Sequence, residues 1–411
     1  MVENMTLACQ GGPPVTLAVA GAAGSGKSTL GRALATALRL PLVDLDAVTN
    51  PLLDHLVGSV FPAHWLAAPH GELVREGRYA ALRAVAHDVV ATARGAVLVA
   101  PFTAELTGGS EWTALLAAVA PTELQVVHID GDPELLARRR EARGAARDAH
   151  RPRRPARPPA VPHIAIAAAL TPEQQLTRAL RALGHRTAVD PGNPLFGQPF
   201  DAVLFDLDGV LVDSTASVTR SWDRFAAEFD VSSAALQENH GQPAQTLVDR
   251  LLGPDRVAEG LARIEAIEVD DAAGVEAVPG AQALFASLPE DRRAVVTSGT
   301  PPIATARLRA GGFPLPRTLI TADDIERGKP DPQPYLLAAH RLGVPPDRCL
   351  AVEDAPAGIA SARAAGCQVL AVTGTAEAEE LAAAALIVDG LDRVAVRVDG
   401  DVLRLEPGKP Q

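Results

Sequence analysis

The chain has 411 residues, 47% apolar and 21% charged, an ordinary globular composition with room for two or three separate cores. Its net charge of −12 is uneven: residues 1–199 carry 19 Lys/Arg against 17 Asp/Glu (+2), and residues 200–411 carry 19 against 33 (−14), so the second half is a poor nucleic-acid binder. Three scattered cysteines argue against a disulfide framework or a zinc site, and no apolar run approaches the ~20 residues of a bilayer span, so a cytoplasmic protein with no membrane partner is expected.

Lysine is rare, with Lys27, Lys329 and Lys409 the only three, and the first two sit in motifs suited to phosphate. Residues 1–13 read as a tail. Val15–Ala20 is an apolar strand running into Gly21-Ala-Ala-Gly24-Ser25-Gly26-Lys27-Ser28-Thr29, and Ser28–Leu40 reads as a helix. The stretch lacks the basic flank of a signal peptide. Strand, GxxxxGK[ST] and helix in that order make a P-loop: loop and helix N–H groups cradle phosphates, Lys27 reaches the outer ones, and the Ser28 hydroxyl can ligate Mg²⁺. ATP is the expected ligand.

Pro41–Asp46 reads as a second strand ending in acids. Asp46, at its end, is the better candidate for orienting an acceptor hydroxyl or holding Mg²⁺ through water, whereas Asp44 caps. Gly95–Ala100, Leu124–Ile129 and His163–Ala168 complete five strands, with helices at Pro133–Arg143 and Pro172–Leu183. Alternation of this kind gives a parallel α/β sheet over residues 14–185. The basic stretch Arg138–Arg157 faces ATP phosphates in this setting rather than nucleic acid. His64, Trp65, His70, Arg75 and Arg78 are expected to line an acceptor site. The order resembles the small-molecule kinases of the P-loop fold, the gluconate, shikimate and chloramphenicol kinase-like group. That resemblance implies a lid over ATP, with Arg143 and Arg147 as phosphate clamps. One departure is the third strand, which ends Val-Ala-Pro-Phe without an acid. A nucleotide-responsive regulatory module is therefore the alternative.

Residues 186–199, rich in Pro and Gly, read as a linker. The apolar strand that follows delivers Asp206 and Asp208 to a turn at Gly209, at the strand end where open α/β sheets place their sites. One carboxylate of such a pair can attack phosphorus, and the other can protonate the leaving alkoxide and later deprotonate water. Two close carboxylates call for a divalent cation, and Mg²⁺ suits oxygen donors. Ala294–Gly299 ends in Thr297, Ser298 and the Gly299 N–H, suited to a phosphoryl group. Lys329 supplies positive charge, and Leu350–Asp354 ends in Glu353 and Asp354.

These four motifs in order resemble the haloacid-dehalogenase superfamily, over residues 200–395. The resemblance implies Asp206 as nucleophile, Asp208 as acid/base, and Thr297 and Lys329 on the phosphoryl group. It also places Mg²⁺ between Asp206, the Asp208 carbonyl and Asp354, with Glu353 direct or through water. Residues 214–279 read as an inserted helical cap (Val218–Phe229, Ala244–Leu252, Val257–Val269), and residues 396–411 as a tail. Asn239-His240-Gly241 resembles the His-Gly pair of sugar- and glycerol-phosphate phosphatases, where His240 would meet substrate or cap a helix. A closed cap favours a small sugar or polyol phosphate. The combined expectation is a phosphatase fused to an ATP-dependent small-molecule kinase. The same apparatus also serves β-phosphoglucomutases.

Overall fold

A computed structural model describes residues 14–61, 64–66, 71–143, 158–186, 188–232 and 244–408. The chain divides into two compact units, residues 1–185 and 186–411, each α/β with its own parallel sheet.

The first unit orders its strands β2 (Leu42–Asp44), β3 (Val97–Val99), β1 (Val15–Gly21), β4 (Glu123–Asp130) and β5 (Ile164–Ala167), all parallel. Central β1 is covered on both faces, so Leu17, Ala18, Val19 and Ala20 are all fully buried. Successive side chains alternate: Ala18 and Ala20 share a core with Leu82 and Ala86, and Leu17 and Val19 one with Leu30 and Leu34. Helices α1 (Lys27–Leu38), α2 (Leu45–His55), α3 (Gly71–Thr92), α4 (Ser110–Val119), α5 (Pro133–Arg143) and α6 (Pro172–Ala182) supply those faces.

Strand β2 stops earlier than its acids suggest. Asp44 Oδ1 accepts from the N–H groups of Asp46 and Ala47 at 2.9 and 3.4 Å and caps α2. Asp46 therefore sits in the first helical turn, not at a strand end.

The second unit orders its main sheet β11 (Leu319–Ile320), β10 (Arg293–Val296), β7 (Ala202–Phe205), β12 (Cys349–Glu353), β13 (Gln368–Val372) and β14 (Leu386–Val388), again all parallel. Among the described residues, three α-helices stand between β8 (Val212–Asp213) and β9 (Glu276–Ala277): α7 (Thr215–Phe229), α8 (Ala244–Leu252) and α9 (Val257–Asp271). They pack around their own small core of Phe225, Val248, Ile264 and Ile267. A short β8–β9 pairing (Val212–Asp213 with Glu276–Ala277) ties the two chain crossings beneath them. Helices α10 (Ala281–Ala286), α11 (Pro301–Ala310), α12 (Gln333–Leu342) and α13 (Pro356–Ala365) flank the sheet.

Both ends of this unit differ from expectation. Residues 394–407 are not a tail: β15 (Val394–Asp399) and β16 (Val402–Pro407) form an antiparallel hairpin, and β16 pairs with β6 (Pro199–Phe200). The turn residue Gly400 has φ +60°, and Leu403 and Leu405 bury in the core. The Pro-rich segment before β6 also packs down. Leu195 is buried with Phe200, and Arg186 Nη2 donates to Asp392 Oδ2 at 2.8 Å. Apolar anchors and an ion pair hold it to the second unit despite its breaker composition.

Candidate functional site

The carboxyl edge of β7, β10 and β12 gathers the acids and hydroxyls of the second unit. The Asp206 N–H donates to Val352 O on β12 at 2.9 Å, fixing the residue just past β7. Lys329 reaches the same point from the loop before α12. Its Nζ donates to Asp206 Oδ1 at 2.5 Å, to Glu353 Oε1 at 2.7 Å and to Val296 O at 3.2 Å. Tyr335, on α12, donates its hydroxyl to the same Glu353 oxygen at 2.6 Å, while Glu353 Oε2 accepts from the Asp354 N–H at 3.1 Å. Thr297 is buried at the end of β10, and its Oγ1 accepts from the Gly299 N–H at 3.0 Å. The Gly299 N–H is thus engaged within the loop, and Ser298 beside it is exposed.

Asp206, Glu353 and Asp354 are buried, and oxygens of all three lie within 4.8 Å of one another. One lysine faces three carboxylates. Burial pushes Asp206 up to about 7, with Glu353 and Asp208 adding to the rise and Lys329 opposing it. Burial also drives Asp354 well above the usual carboxylate range, helped by Asp206 and Glu353 and opposed by a hydrogen bond from Thr375. For Lys329, burial favours the neutral amine, but the Asp206 and Glu353 carboxylates outweigh it and hold the ammonium above the ordinary lysine range. A surplus of hard oxygen donors in a buried site fits a divalent cation such as Mg²⁺.

Asp208 is turned the other way. Its Oδ1 accepts from Ser214 Oγ at 2.6 Å and from Arg307 Nη1 at 2.8 Å. Arg307, buried on α11, also donates through Nη2 to Glu268 Oε2 on α9 at 3.1 Å. Tyr335, Ser214, Arg307, Glu268 and Thr375 were not among the expected site residues. His240 and Gly241 lie outside the described residues.

In the first unit, the loop from Gly21 to Gly26 leads into α1, whose N-cap Gly26 offers no side chain to the first-turn N–H groups. Gly24 has φ +89°, and a Cβ there would stand 2.6 Å from Leu136 O on α5, so the loop needs glycine where it meets that helix. Ser25 is fully buried, and its Oγ finds no partner among the described residues. Lys27 Nζ donates to Ala22 O at a long 3.4 Å. Lys27, Ser28 and Thr29 form the first turn of α1. An orphaned hydroxyl beneath an uncapped helix N-terminus fits an anionic phosphate chain. Asp46 is held by Arg78 Nη2 at 2.6 Å, and the same guanidinium donates to Thr49 Oγ1 and Asn50 Oδ1 and lies over the Trp65 ring. Arg75 lies over Tyr79 and contacts Glu105, a fully buried acid one turn beyond the acid-free end of β3. Arg143 is the last residue of α5; its side chain and the whole of Arg147 lie outside the described residues.

One α/β unit opens on a glycine-rich loop of the P-loop type, and the other gathers acids, a lysine and hydroxyls at the carboxyl edge of its sheet. Residues 200–366 match the haloacid dehalogenase-like hydrolase family and residues 17–156 match an AAA domain family. The chain belongs to the haloacid dehalogenase-like hydrolases through its second unit, and its first unit is a P-loop domain. Among curated proteins, it is 39% identical to hexitol phosphatase A of Escherichia coli over 208 residues, 49% of this chain and 96% of that protein. It is 35% identical to validoxylamine A 7'-phosphate phosphatase of Streptomyces hygroscopicus subsp. limoneus, over 47% of this chain and 96% of that protein. It is 31% identical to glycerol-1-phosphate phosphohydrolase 2 of Saccharomyces cerevisiae, over 49% of this chain and 85% of that one. No helix among the described residues is long and apolar enough to cross a membrane.

Proposed function

We propose that the second unit hydrolyses phosphate monoesters of small sugars or polyols through an aspartyl-phosphate. The observation that carries this reading is the 39% identity to a hexitol phosphatase over nearly that protein's whole length. Asp206 attacks phosphorus, and the P–O bond to the sugar breaks as Asp208 gives its proton to the departing oxygen. Asp208 then takes a proton from water, whose oxygen displaces Asp206 and frees phosphate. Thr297, Ser298, Gly299 and Lys329 hold the phosphoryl oxygens, and Lys329 meets the negative charge that builds on them. Asp206, Asp354, the Asp208 carbonyl and Glu353 would hold Mg²⁺, which shields the transferring group from the surrounding carboxylates. His240 and Gly241, in the sequence interval 214–279 between the first and second motifs, would meet the sugar. The named relatives above are phosphatases, which favours hydrolysis over return of the phosphoryl group to a sugar.

Phosphate release from a panel of hexitol, glycerol and sugar phosphates, with Mg²⁺, tests this. Release by wild type and none by Asp206→Asn is expected. Equal release by both, or isomerised sugar phosphate without free phosphate, would overturn it.

For the first unit, the reading is an ATP-dependent small-molecule kinase. Gly21, Gly24, Ser25, Gly26, Lys27, Ser28 and Thr29 would cradle ATP, Arg143 and Arg147 would clamp its phosphates, and Asp46 would face the acceptor. Support comes from the orphaned Ser25 hydroxyl beneath the glycine loop. ADP formation that depends on an added acceptor is the expected result. ATP binding with no turnover on any acceptor would point instead to the regulatory module.

A further inference from the structure

The candidate acid/base, Asp208, shares one guanidinium with an acid on the helical insertion. Arg307 stands on α11 of the core with its side chain 4% exposed. It spans Asp208 Oδ1 at 2.8 Å and Glu268 Oε2 at 3.1 Å. Residues 208, 268 and 307 come from three separate elements: the loop after β7, the end of α9, and the middle of α11. The end of α9 is in turn fastened to α7, where Arg220 pairs with Asp271 and Arg224 with Asp270, at 2.7 and 2.8 Å. A displacement of α9 therefore carries Glu268 with it, and Arg307 must follow or break a buried ion pair.

We propose that Arg307 is a positioning residue. It aims the Asp208 carboxyl at the leaving oxygen, and it makes that aim depend on where the insertion's last helix sits, through Glu268. The inference rests on Asp208 serving as the proton donor of the proposed reaction. A lone arginine beside Asp208 would only fix a rotamer. The second carboxylate is what makes the device conditional, because the planar fork serves both acids at once in one arrangement only. Breaking a buried pair strands a charge, so intermediate arrangements are disfavoured. The described hydrogen bonds of Arg307 go to Asp208 and Glu268 and not to Glu353 or Lys329, and Asp206 reaches it only through its charge.

Leaving-group dependence tests this. In the first half-reaction, the oxygen–phosphorus bond of an alkyl phosphate breaks only if a proton arrives on the departing oxygen. p-Nitrophenolate leaves without one. The quantity to read is the ratio of kcat/KM for an alkyl phosphate (glycerol phosphate or a hexitol phosphate, whichever turns over) to kcat/KM for p-nitrophenyl phosphate. Asp208→Ala sets the scale, with a fall in that ratio of about 100-fold expected if Asp208 is the proton donor. Arg307→Met is expected to lower the ratio at least 10-fold, Arg307→Lys to recover part of that loss, and Glu268→Gln to lower it about 3- to 10-fold. Equal losses on both substrates for Arg307→Met and Glu268→Gln, with Asp208→Ala discriminating as stated, would overturn the inference and leave the mechanism standing. An undiminished ratio in Asp208→Ala would overturn the mechanism beneath it. Should Arg307→Met not fold, Glu268→Gln decides alone: it keeps shape and hydrogen bonding, and an unchanged ratio there sinks the proposal.

Discussion

Tyr335 and Lys329 converge on one oxygen of Glu353, at 2.6 and 2.7 Å, from the same loop-and-helix segment. Glu353 is thus held by a buried hydroxyl as well as by the ammonium. The pairing sets the tyrosine far from ionisation: burial raises it well above its ordinary value, with Glu353 and Asp206 adding to the rise. The hydroxyl is a fixed donor at all working pH values. It orients the Glu353 carboxylate beside Asp206 and Asp354.

Tyr335→Phe should therefore raise the Mg²⁺ concentration giving half-maximal phosphatase activity by roughly 10-fold, the lower end of the effect of removing a partner behind a metal ligand. Stability should fall by about 1.5–3 kcal/mol, as for a buried hydrogen bond to a charged group. A Mg²⁺ titration of activity checks the first claim and denaturant unfolding the second. An unchanged half-saturation would mean that Glu353 is held by Lys329 alone.

The crowding of carboxylates predicts a pH-dependent response to metal. An unfolded aspartate titrates near ~4, and Asp206 is raised to about 7 in the fold. A raised carboxyl favours the folded state while protonated. That contribution is full below the unfolded value and is lost as pH rises through about 7. Asp354, also raised, acts in the same direction. Chelator-treated protein should lose stability in its second unit between pH 4 and pH 7, roughly. Mg²⁺ binds the ionised acids, so its stabilisation should be small at low pH, grow across that window and level above it. Thermal unfolding with and without Mg²⁺ across that range reads this out. A Mg²⁺ effect that is flat with pH would show that protons and metal do not compete for these acids.

Gly209 permits the close approach of the loop after β7 to Asp354 and Thr375. Its φ is +82°, and a Cβ there would lie 1.8 Å from Asp354 Oδ2 and 2.6 Å from Thr375 Oγ1. Gly209→Ala should move Asp354 out of the acidic cluster and cost phosphatase activity at least 100-fold. The left-handed backbone alone adds about 1–2 kcal/mol of destabilisation. Crystallography or Mg²⁺ binding would show the displaced acid. Retention of wild-type activity would mean that Asp354 tolerates displacement and does not hold the metal.

What could be read from the chain, and what could not, follows from distance along it. Asp206, Thr297, Lys329, Glu353 and Asp354 each announce themselves locally, because each follows an apolar strand or sits in a short motif. Arg307 carries no such mark. It lies in a helix with one other arginine, Arg309, and its partners are 99 and 39 residues away in sequence. Tyr335 reads as an ordinary core aromatic, and only the fold puts its hydroxyl against Glu353. The hairpin at 394–407 is a different case. Val394, Val396 and Val398 alternate before Asp399-Gly400, and Leu403 and Leu405 alternate after it, a pattern that predicts a hairpin without a structure. Asp46 misled because a strand with two acids at its end reads the same whether the first acid caps a helix or continues the strand; the hydrogen bonds of Asp44 decide it.

The two units make a clean prediction for Lys27. Its ammonium donates to the Ala22 carbonyl at 3.4 Å, and the residue lies in the first turn of α1. Lys27→Ala takes nothing from the apolar cores and puts a strong helix former in the first turn of α1, so the first unit should still fold, with a loss of stability under about 1 kcal/mol. Losing the charge that meets the outer phosphates should weaken ATP binding by at least 10-fold, measured as loss of the ATP-induced rise in the first unit's melting temperature. The phosphatase activity of this variant then separates the two readings of the first unit. If that unit is a kinase working on its own acceptor, phosphatase kcat and KM stay at wild-type values with or without ATP. If nucleotide occupancy governs the second unit, wild-type phosphatase kinetics shift on adding ATP and the variant's do not. Both measurements use one protein and one assay, and an ATP response preserved in Lys27→Ala would count against the P-loop as the nucleotide site altogether.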